Sequence, residues 1–287
     1  MKFAIYSHIY HPYSNPSLLA DLAEEAEQAG WDGYFLWDVL PSNGSAVTVD
    51  PWIALAAMAV KTKSIILGPM ITPLARRRPW KVALEALSLD HLSNGRLILG
   101  VGLGATSNYE TWGEGSSPKI LAQKLDESLE IITKLWSGET ISHDGAHYKI
   151  HLAQYSKRPI QHPRIPIWVA GYWPNKAPMR RASAWDGAFP FKGDMQNYNE
   201  MLSPAQVKDI IAYISLHRNI SSPIEIAHAG VLTGERTPEQ VNLIKEYADA
   251  GIDWWMEHIY PDRFTLEEAR QWIRKGPPEI QHFSKII

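Results

Sequence analysis

Three histidines have the spacing of a metal site. His143, His147 and His151 are four residues apart, and on a helix this spacing would align three imidazoles as ligands. However, Asp144-Gly145 is a hairpin signal, and the residues that follow alternate as in a strand. Strand positions four residues apart are separated by about 13 Å, which is too far to share one ion. The pattern therefore predicts a hairpin, and we expect no metal.

A glycine-rich run is the second pattern with chemical potential. Gly100, Gly102 and Ala105 match the dinucleotide-binding pattern G-x-G-x-x-A. That fingerprint needs a helix starting within the motif, whereas residues 106–117 have the composition of a loop. Two other interpretations remain open. The run exposes backbone N–H groups to a phosphate, or its glycines allow close packing between strands.

The third pattern is a cluster of three arginines, Arg76 to Arg78, directly before Pro79. It could bind a phosphate or an anionic substrate, or it could be a solvated loop. Nucleophilic chemistry has less support. Cysteine is absent, which excludes thiolate nucleophiles and disulfides, and no G-x-S-x-G elbow for a serine nucleophile occurs.

The elements that must position these residues alternate between short apolar strands and helices. Eight strands are predicted, each followed by a helical segment, at 3–7, 33–37, 64–71, 96–101, 165–170, 188–191, 224–232 and 252–257. This count predicts an α/β protein with a single (β/α)8 TIM barrel rather than an open sheet. Residues 138–163 have no place in the count, so we predict an insertion there between helix four and strand five. No linker divides the chain, and we predict one domain over residues 1–287.

Composition and charge exclude several classes of partner. The net charge is −3, and a protein without basic excess is not expected to bind nucleic acid. The sequence has no apolar stretch of the length expected for a membrane span and no signal peptide. Together with the absence of cysteine, this favours a cytoplasmic protein.

In a TIM barrel, functional residues lie where the strands end at their carboxyl side. The abundance of Trp and Tyr, 12 each, suits a concave site for a flat ligand, although such residues also fill cores. The strand ends select these residues: His8 after strand one; Trp37 and Asp38 after strand two; Met70 and Ile71 after strand three; Gly102, Gly104, Ala105 and Asn108 after strand four; Gly171, Tyr172 and Trp173 after strand five.

With this order in place, the sequence resembles the bacterial luciferase-like flavin monooxygenase family, which includes deazaflavin-dependent oxidoreductases. Six segments carry the resemblance, in the expected order over residues 1 to about 190. They are Glu25 to Gly33 with Trp37-Asp38; Asp50-Pro51-Trp52; Leu67 to Pro73 with Arg78-Pro79; Leu89 to Leu97 with Leu99 to Gly102; Leu135 to Glu139 with Gly145 and Tyr148; and Pro166 to Gly171. The last third matches only in its barrel rhythm.

The resemblance implies a cofactor at the strand ends, either reduced FMN or the deazaflavin coenzyme F420. It implies a non-prolyl cis peptide bond at Met70-Ile71. Contacts to the ring are expected from Asp38, Met70, Ile71 and Asn108. Contacts to the phosphate are expected from the backbone at Gly102, Gly104 and Ala105 and at Gly171, Tyr172 and Trp173.

The sequence departs from the family at Val39, where many relatives have a histidine after the acidic residue. We therefore assign the catalytic roles to Asp38 and, in place of that histidine, to His8 at the end of strand one. Trp37, Trp52, Trp112 and Trp173 are expected as apolar walls.

The resulting hypothesis is an oxidoreductase, a monooxygenase that uses reduced FMN and oxygen on a small organic substrate. The first alternative is a deazaflavin-dependent enzyme that transfers hydride, and the second is a non-catalytic flavin-binding barrel. The resemblance adds two expected partners, a second copy in a homodimer and a separate flavin reductase.

Overall fold

The computed structural model describes residues 1–41, 49–115, 117–193, 200–232 and 237–278. Its strands are β1 (Lys2–Ser7), β2 (Gly33–Leu36), β3 (Ile66–Pro69), β4 (Thr72–Pro73), β5 (Leu99–Gly102), β6 (Ile141–Asp144), β7 (Lys149–Ala153), β8 (Ile167–Trp173), β9 (Gly187–Lys192), β10 (Glu225–Gly230) and β11 (Trp254–Ile259). Its helices are α1 (Pro16–Gln28), α2 (Pro51–Lys61), α3 (Pro79–Leu92), α4 (Thr106–Thr111), α5 (Pro118–Trp136), α6 (Lys176–Ala182), α7 (Pro204–His217), α8 (Pro238–Ala250) and α9 (Leu266–Arg274), with a 3-10 turn at Leu74–Arg76.

Nine parallel strands form one sheet in the order β3-β2-β1-β11-β10-β9-β8-β5-β4. The two ends of this order, β3 and β4, are consecutive in the chain and are separated only by Met70 and Ile71. They are therefore two halves of one barrel strand, and a parallel bridge between Leu67 and Leu97 closes the ring beside β5. Eight strand positions result, which confirms the predicted (β/α)8 barrel.

The insertion lies where the sequence predicts it, between α5 and β8. Strands β6 and β7 pair antiparallel, with Asp144 opposite Lys149. The Asp144-Gly145 hairpin signal is thus confirmed. Among the described residues, no helix is long and apolar enough to cross a membrane.

The barrel interior is filled by large aromatic side chains. Trp168 stacks on Phe35 with the ring centroids 5.7 Å apart and meets Trp254 edge to face at 5.5 Å. All three are fully buried. Because these rings fill the interior, the barrel has no open channel, and a site can form only at the carboxyl ends of the strands.

Asp50 caps the helix that supports this site. Its carboxylate accepts hydrogen bonds from the backbone N–H groups of Trp52 and Ile53, and Pro51 occupies the first helical position. This is the predicted start of α2. The cap fixes the orientation of Trp52 toward the end of β2.

Several predicted boundaries were wrong, because tertiary contacts decide them. Predicted strand three is split into β3 and β4. The segment expected as a loop after Gly104 forms the short helix α4. The hydroxyl of the buried Tyr109 anchors this helix by donating a hydrogen bond to the Leu103 carbonyl at 2.7 Å. Strand β5 begins only at Leu99, because the residues before it form a single parallel bridge, between Leu97 and Leu67, and regular pairing with β8 starts at Leu99.

Candidate active site

A cavity of about 200 Å³ opens at the carboxyl ends of the barrel strands. Most of its lining is apolar, with a few polar groups, as in small-molecule sites. The lining residues are Tyr6, Trp37, Asp38, Val39, Met70, Ile71, Leu103, Gly104, Ala105, Asn108, Ala170, Gly171, Tyr172, Asn175, Pro178, Arg181 and Phe191.

Asp38 is the most strongly held polar group of this cavity. Its Oδ2 accepts hydrogen bonds from the Thr72 hydroxyl at 2.8 Å and the Trp52 indole N–H at 3.1 Å. Its Oδ1 forms an ion pair with the Arg77 guanidinium at 2.9 Å. The donors come from three separate elements, so the carboxylate is held in one orientation.

The peptide bond between Met70 and Ile71 is cis, as the resemblance implied. It lies between β3 and β4, and both side chains line the cavity. Gly102 permits this arrangement, since a Cβ at Gly102 would lie 2.3 Å from Cδ1 of Ile71. For Gly102 the close-packing interpretation is therefore the one that the structure supports.

The next glycine of the run has a different role. Gly104 lines the cavity and has a φ of +76°, a left-handed conformation that favours glycine. Its Cβ position would lie 2.8 Å from Cβ of Pro73. Gly104 and Ala105 thereby bring backbone, rather than side chain, to the cavity surface.

The side of the cavity formed by β8 and α6 carries further polar groups. Asn175 caps α6 by accepting from the Ala177 N–H at 3.1 Å. Arg181, on the same helix, forms a bidentate ion pair with Asp126 of α5. Asn175 and Arg181 therefore add an amide and a cation to a wall that Tyr172 and Gly171 begin.

His8 lies beside the cavity rather than on its surface. It is 3% exposed, its ring centroid is 3.7 Å from that of Trp37, and its Nε2 lies 2.9 Å from Nε2 of His258. Burial lowers the pKa of His8 to about 3, which keeps the imidazole neutral near pH 7. Gly102 and Trp173 also lie outside the set of lining residues.

The predicted tryptophan walls are only partly found. Trp37 lines the cavity, and Trp52 supports it through Asp38. Trp112 is 52% exposed and donates to the Pro41 carbonyl.

Sequence reasoning missed several lining residues, among them Tyr6, Asn175 and Arg181. Tyr6 belongs to β1, and the alternation of that strand could have assigned it to the barrel interior. Asn175 carried a helix-cap signal after strand five. Nothing local marks Arg181, because its position depends on how α6 packs on β8.

The three spaced histidines do not converge on an ion. His143 contacts Oε1 of Glu127 at 3.0 Å, and His147 contacts the Gln123 side chain at 3.3 Å. Within the described ranges, no group of three or more ligating side chains could hold a metal.

The chain is similar in sequence to a known protein family and to enzymes within it. A family model described as luciferase-like monooxygenase matches residues 1–203. The F420-dependent glucose-6-phosphate dehydrogenase of Nakamurella multipartita is 32% identical over 285 residues, which are 94% of this chain and 82% of the relative. The enzyme of the same name from Microbacterium testaceum is 32% identical over 66% of this chain and 57% of its own length.

The fold is also found among solved structures. A monooxygenase from Streptomyces bottropensis superposes with a TM-score of 0.74 over 96% of this chain and 97% of that one, at 19% identity. At this identity the match concerns the fold alone.

Proposed function

This chain belongs to the luciferase-like monooxygenase family, and from that premise we propose that it is an oxidoreductase that uses the deazaflavin coenzyme F420. The observation that carries the proposal is the 32% identity, over nearly the whole chain, to an F420-dependent dehydrogenase. It supports the deazaflavin alternative better than the reduced FMN monooxygenase that was our first hypothesis. We propose a small organic molecule as the substrate.

The lining residues fit a flat tricyclic ring. Trp37, Met70 and Ile71 supply apolar surface, and Asp38 and Asn108 supply polar groups near it. When bound, a deazaflavin accepts or donates a hydride, and the protein binds it, orients it and excludes water. Asp38 is held by its three donors, so it presents a fixed acceptor to a ring N–H.

We propose that the backbone at Gly104 and Ala105, with Gly171 and Tyr172, contacts the phosphate of the coenzyme. Arg181 stands on the same side and brings guanidinium N–H donors there, although its charge is balanced by the ion pair with Asp126. Gly102 and Trp173 then act by packing, since neither lines the cavity. These assignments extend the sequence prediction by one residue, Arg181.

For His8 we propose a positioning role. Its low pKa makes it a weak proton acceptor, and Trp37 rather than His8 faces the cavity. Burial raises the pKa of Tyr6 well above its ordinary value, so the phenol at the cavity remains protonated and can donate a hydrogen bond. Asp38 is the remaining candidate for direct contact with the reacting groups.

The reduced FMN monooxygenase remains a second candidate, because the family model that matches residues 1–203 is described as luciferase-like monooxygenase. In that case a separate flavin reductase would be required as a partner. The coenzyme with the higher affinity decides between the two.

We further propose that the chain forms one domain and a homodimer. Barrel strands run from Lys2 to Ile259, so the barrel uses nearly the whole chain. Helices α2 and α3 are in contact and expose the large apolar side chains of Ile53, Val60, Trp80 and Leu84. Sedimentation velocity tests this, and Val60→Glu with Leu84→Glu is expected to yield a monomer.

The test of the main proposal is a binding titration of the purified protein with coenzyme F420, FMN and reduced FMN in parallel. Trp37 lines the cavity, so ring binding is expected to quench tryptophan fluorescence, and a Trp37→Phe variant identifies that signal. Saturable binding of the deazaflavin in the micromolar range supports the proposal. Tighter binding of reduced FMN supports the monooxygenase, and no saturable binding of any of them overturns the oxidoreductase proposal together with the flavin-binding barrel.

A further inference from the structure

A second depression, of about 310 Å³, lies next to the cavity and is here called the basic cleft. It is formed by the 3-10 turn after β4, the helices α4 and α5, and the tip of the β6–β7 hairpin. Its lining residues are Ala75, Arg76, Arg77, Arg78, Tyr109, Glu114, Leu121, Lys124, His147 and Tyr148.

The charges of the basic cleft are not balanced. Four lining residues carry a fixed positive charge, and Glu114 is the one carboxylate among the described lining. Glu114 pairs with Arg76 at 2.6 Å, and Arg77 pairs with Asp38 outside the cleft. Within the part of the chain that the structure describes, no carboxylate lies within 4.0 Å of the Arg78 or Lys124 nitrogens.

The walls of the cleft are held in place by contacts that do not use these two cations. Glu127 accepts hydrogen bonds from the backbone N–H groups of His147 at 3.0 Å and Tyr148 at 2.8 Å, which fixes the hairpin tip. The Arg76 guanidinium donates to the Asn108 carbonyl at 3.0 Å. The cleft is therefore a preformed concave surface on which two cations, Arg78 and Lys124, have no carboxylate partner among the described residues. The Arg78 guanidinium carbon lies 5.9 Å from the centroid of the Trp80 ring.

The basic cleft shares a wall with the cavity. Arg77 lines the cleft and reaches Asp38, which lines the cavity, and Arg76 reaches the backbone of Asn108, which also lines it. A ligand that extends out of the cavity past Asp38 and Asn108 would pass into the positive field of the cleft.

We propose that the basic cleft is a binding site for an oxyanion, a phosphate or carboxylate group, with Arg78 and Lys124 as its principal cations. Arginine presents a fork of donors that matches such groups, and lysine adds a compact charge. The anion belongs either to an acidic tail of the coenzyme in the cavity or to a separate phosphate-bearing molecule. The coenzyme tail as the source of the anion rests on the proposed function, whereas anion binding by the basic cleft does not.

The experiment compares the parent protein with the double variant Arg78→Gln/Lys124→Gln. Lys63→Gln/Lys119→Gln is the control, because both lysines are exposed and lie outside the cleft. The two control substitutions remove as much positive charge as those of the double variant. The probes are pyrophosphate, coenzyme F420 and the same deazaflavin without its acidic tail, each measured by titration calorimetry. Loss of one charge-assisted contact corresponds to about a tenfold weaker Kd.

Pyrophosphate is expected to bind the parent and the control alike and to bind the double variant at least about tenfold more weakly. If the variant also weakens the tailed coenzyme but not the tailless one, the tail occupies the cleft. If both coenzymes bind the variant as they bind the parent, the anion comes from a separate molecule. Equal binding of pyrophosphate to all three proteins, or none, overturns the proposal. Binding of pyrophosphate without binding of either deazaflavin overturns the proposed function and leaves the cleft in place.

Discussion

His8 and His258 share a hydrogen bond, with 2.9 Å between their Nε2 atoms. His8 directly follows β1, and His258 is the last residue but one of β11. These two strands are adjacent and join the two ends of the chain in the barrel. Burial lowers the pKa of both imidazoles, that of His8 to about 3. Both are therefore neutral near pH 7, so one can donate and the other accept. Their rings pack around Trp37 and thereby support one wall of the cavity.

This pairing predicts strong coupling between His8→Leu and His258→Leu. Each single variant removes this hydrogen bond from the buried histidine that remains, which costs about 1–3 kcal/mol of unfolding free energy. The double variant removes both nitrogens and is expected to lose less than the sum of the two single variants. Urea unfolding at neutral pH measures all four proteins.

The same His8 variant separates positioning from proton transfer. We expect weaker coenzyme binding, since Trp37 loses its support, with a smaller change in turnover at saturation. Unchanged coenzyme affinity with abolished turnover would instead support the catalytic role that the sequence analysis assigns to His8, as a general base.

The Asp38 carboxylate is predicted to be needed for coenzyme binding but not for folding. Asp38→Asn keeps the shape but weakens the contact with Arg77 and offers one acceptor fewer to Thr72, Trp52 and a bound ring. We expect the Kd for the deazaflavin to rise about tenfold or more, with an unchanged circular dichroism spectrum. Asp21→Asn, at an exposed ion pair with Lys61 on the outer helices, is the control. An Asp38→Asn protein that binds like the parent would remove Asp38 from the site.

Acid is predicted to destabilise the protein through its buried histidines. His228 is 2% exposed, stacks on Tyr247, and has no hydrogen-bond partner among the described residues, and burial lowers its pKa to about 3. Because the unfolded chain takes up this proton below about pH 6.5 and the folded chain does not, stability falls as the pH decreases from there toward about 3.

The size of this effect can be tested at His228. Between a pH of about 7.5 and about 5.5, each such histidine costs about 1.4 kcal/mol of unfolding free energy. His228→Leu is expected to reduce the pH dependence by about that amount, whereas His151→Leu, at an exposed position of β7, leaves it unchanged. Urea unfolding at the two pH values measures the difference, and an equal pH dependence in all three proteins contradicts the prediction.

Arg96 is predicted to determine stability without affecting the site. Its guanidinium donates to the carbonyls of Ala59, Ile65 and Ser93, and also to both oxygens of Thr62. These contacts lie at the amino-terminal side of β5, opposite the cavity. Lysine has one nitrogen and cannot replace the fork, so Arg96→Lys is expected to lose about 2–4 kcal/mol.

The measurement for Arg96→Lys is urea unfolding together with deazaflavin titration. Coenzyme affinity is expected to remain at the parent value. Arg180→Lys, whose guanidinium bonds the Tyr213 hydroxyl at 3.3 Å on the exposed side of α6, is the control for stability. A weakened coenzyme affinity in Arg96→Lys would mean that the two ends of the barrel are coupled.

Much of the fold could be predicted because its signals are local. The alternation of apolar strands and capped helices predicted eight strand positions, and Asp144-Gly145 predicted the hairpin. Asp38 could be assigned to the site because it directly follows a strand. The cis peptide bond at Met70-Ile71 followed from the resemblance and had no local signal of its own.

Other features depend on residues far apart in the chain. The sequence by itself determined the succession of strands and helices along the chain, the helix starts and the placement of Asp38 and Met70 at strand ends, since each depends on neighbours within a few residues. Only the tertiary structure decided that His8 is buried against His258, that Arg181 lines the cavity, and that Arg77 joins Asp38 to the basic cleft. Burial, pKa and convergence arise from packing between distant segments, and the periodicity of one segment carries no information on its partners.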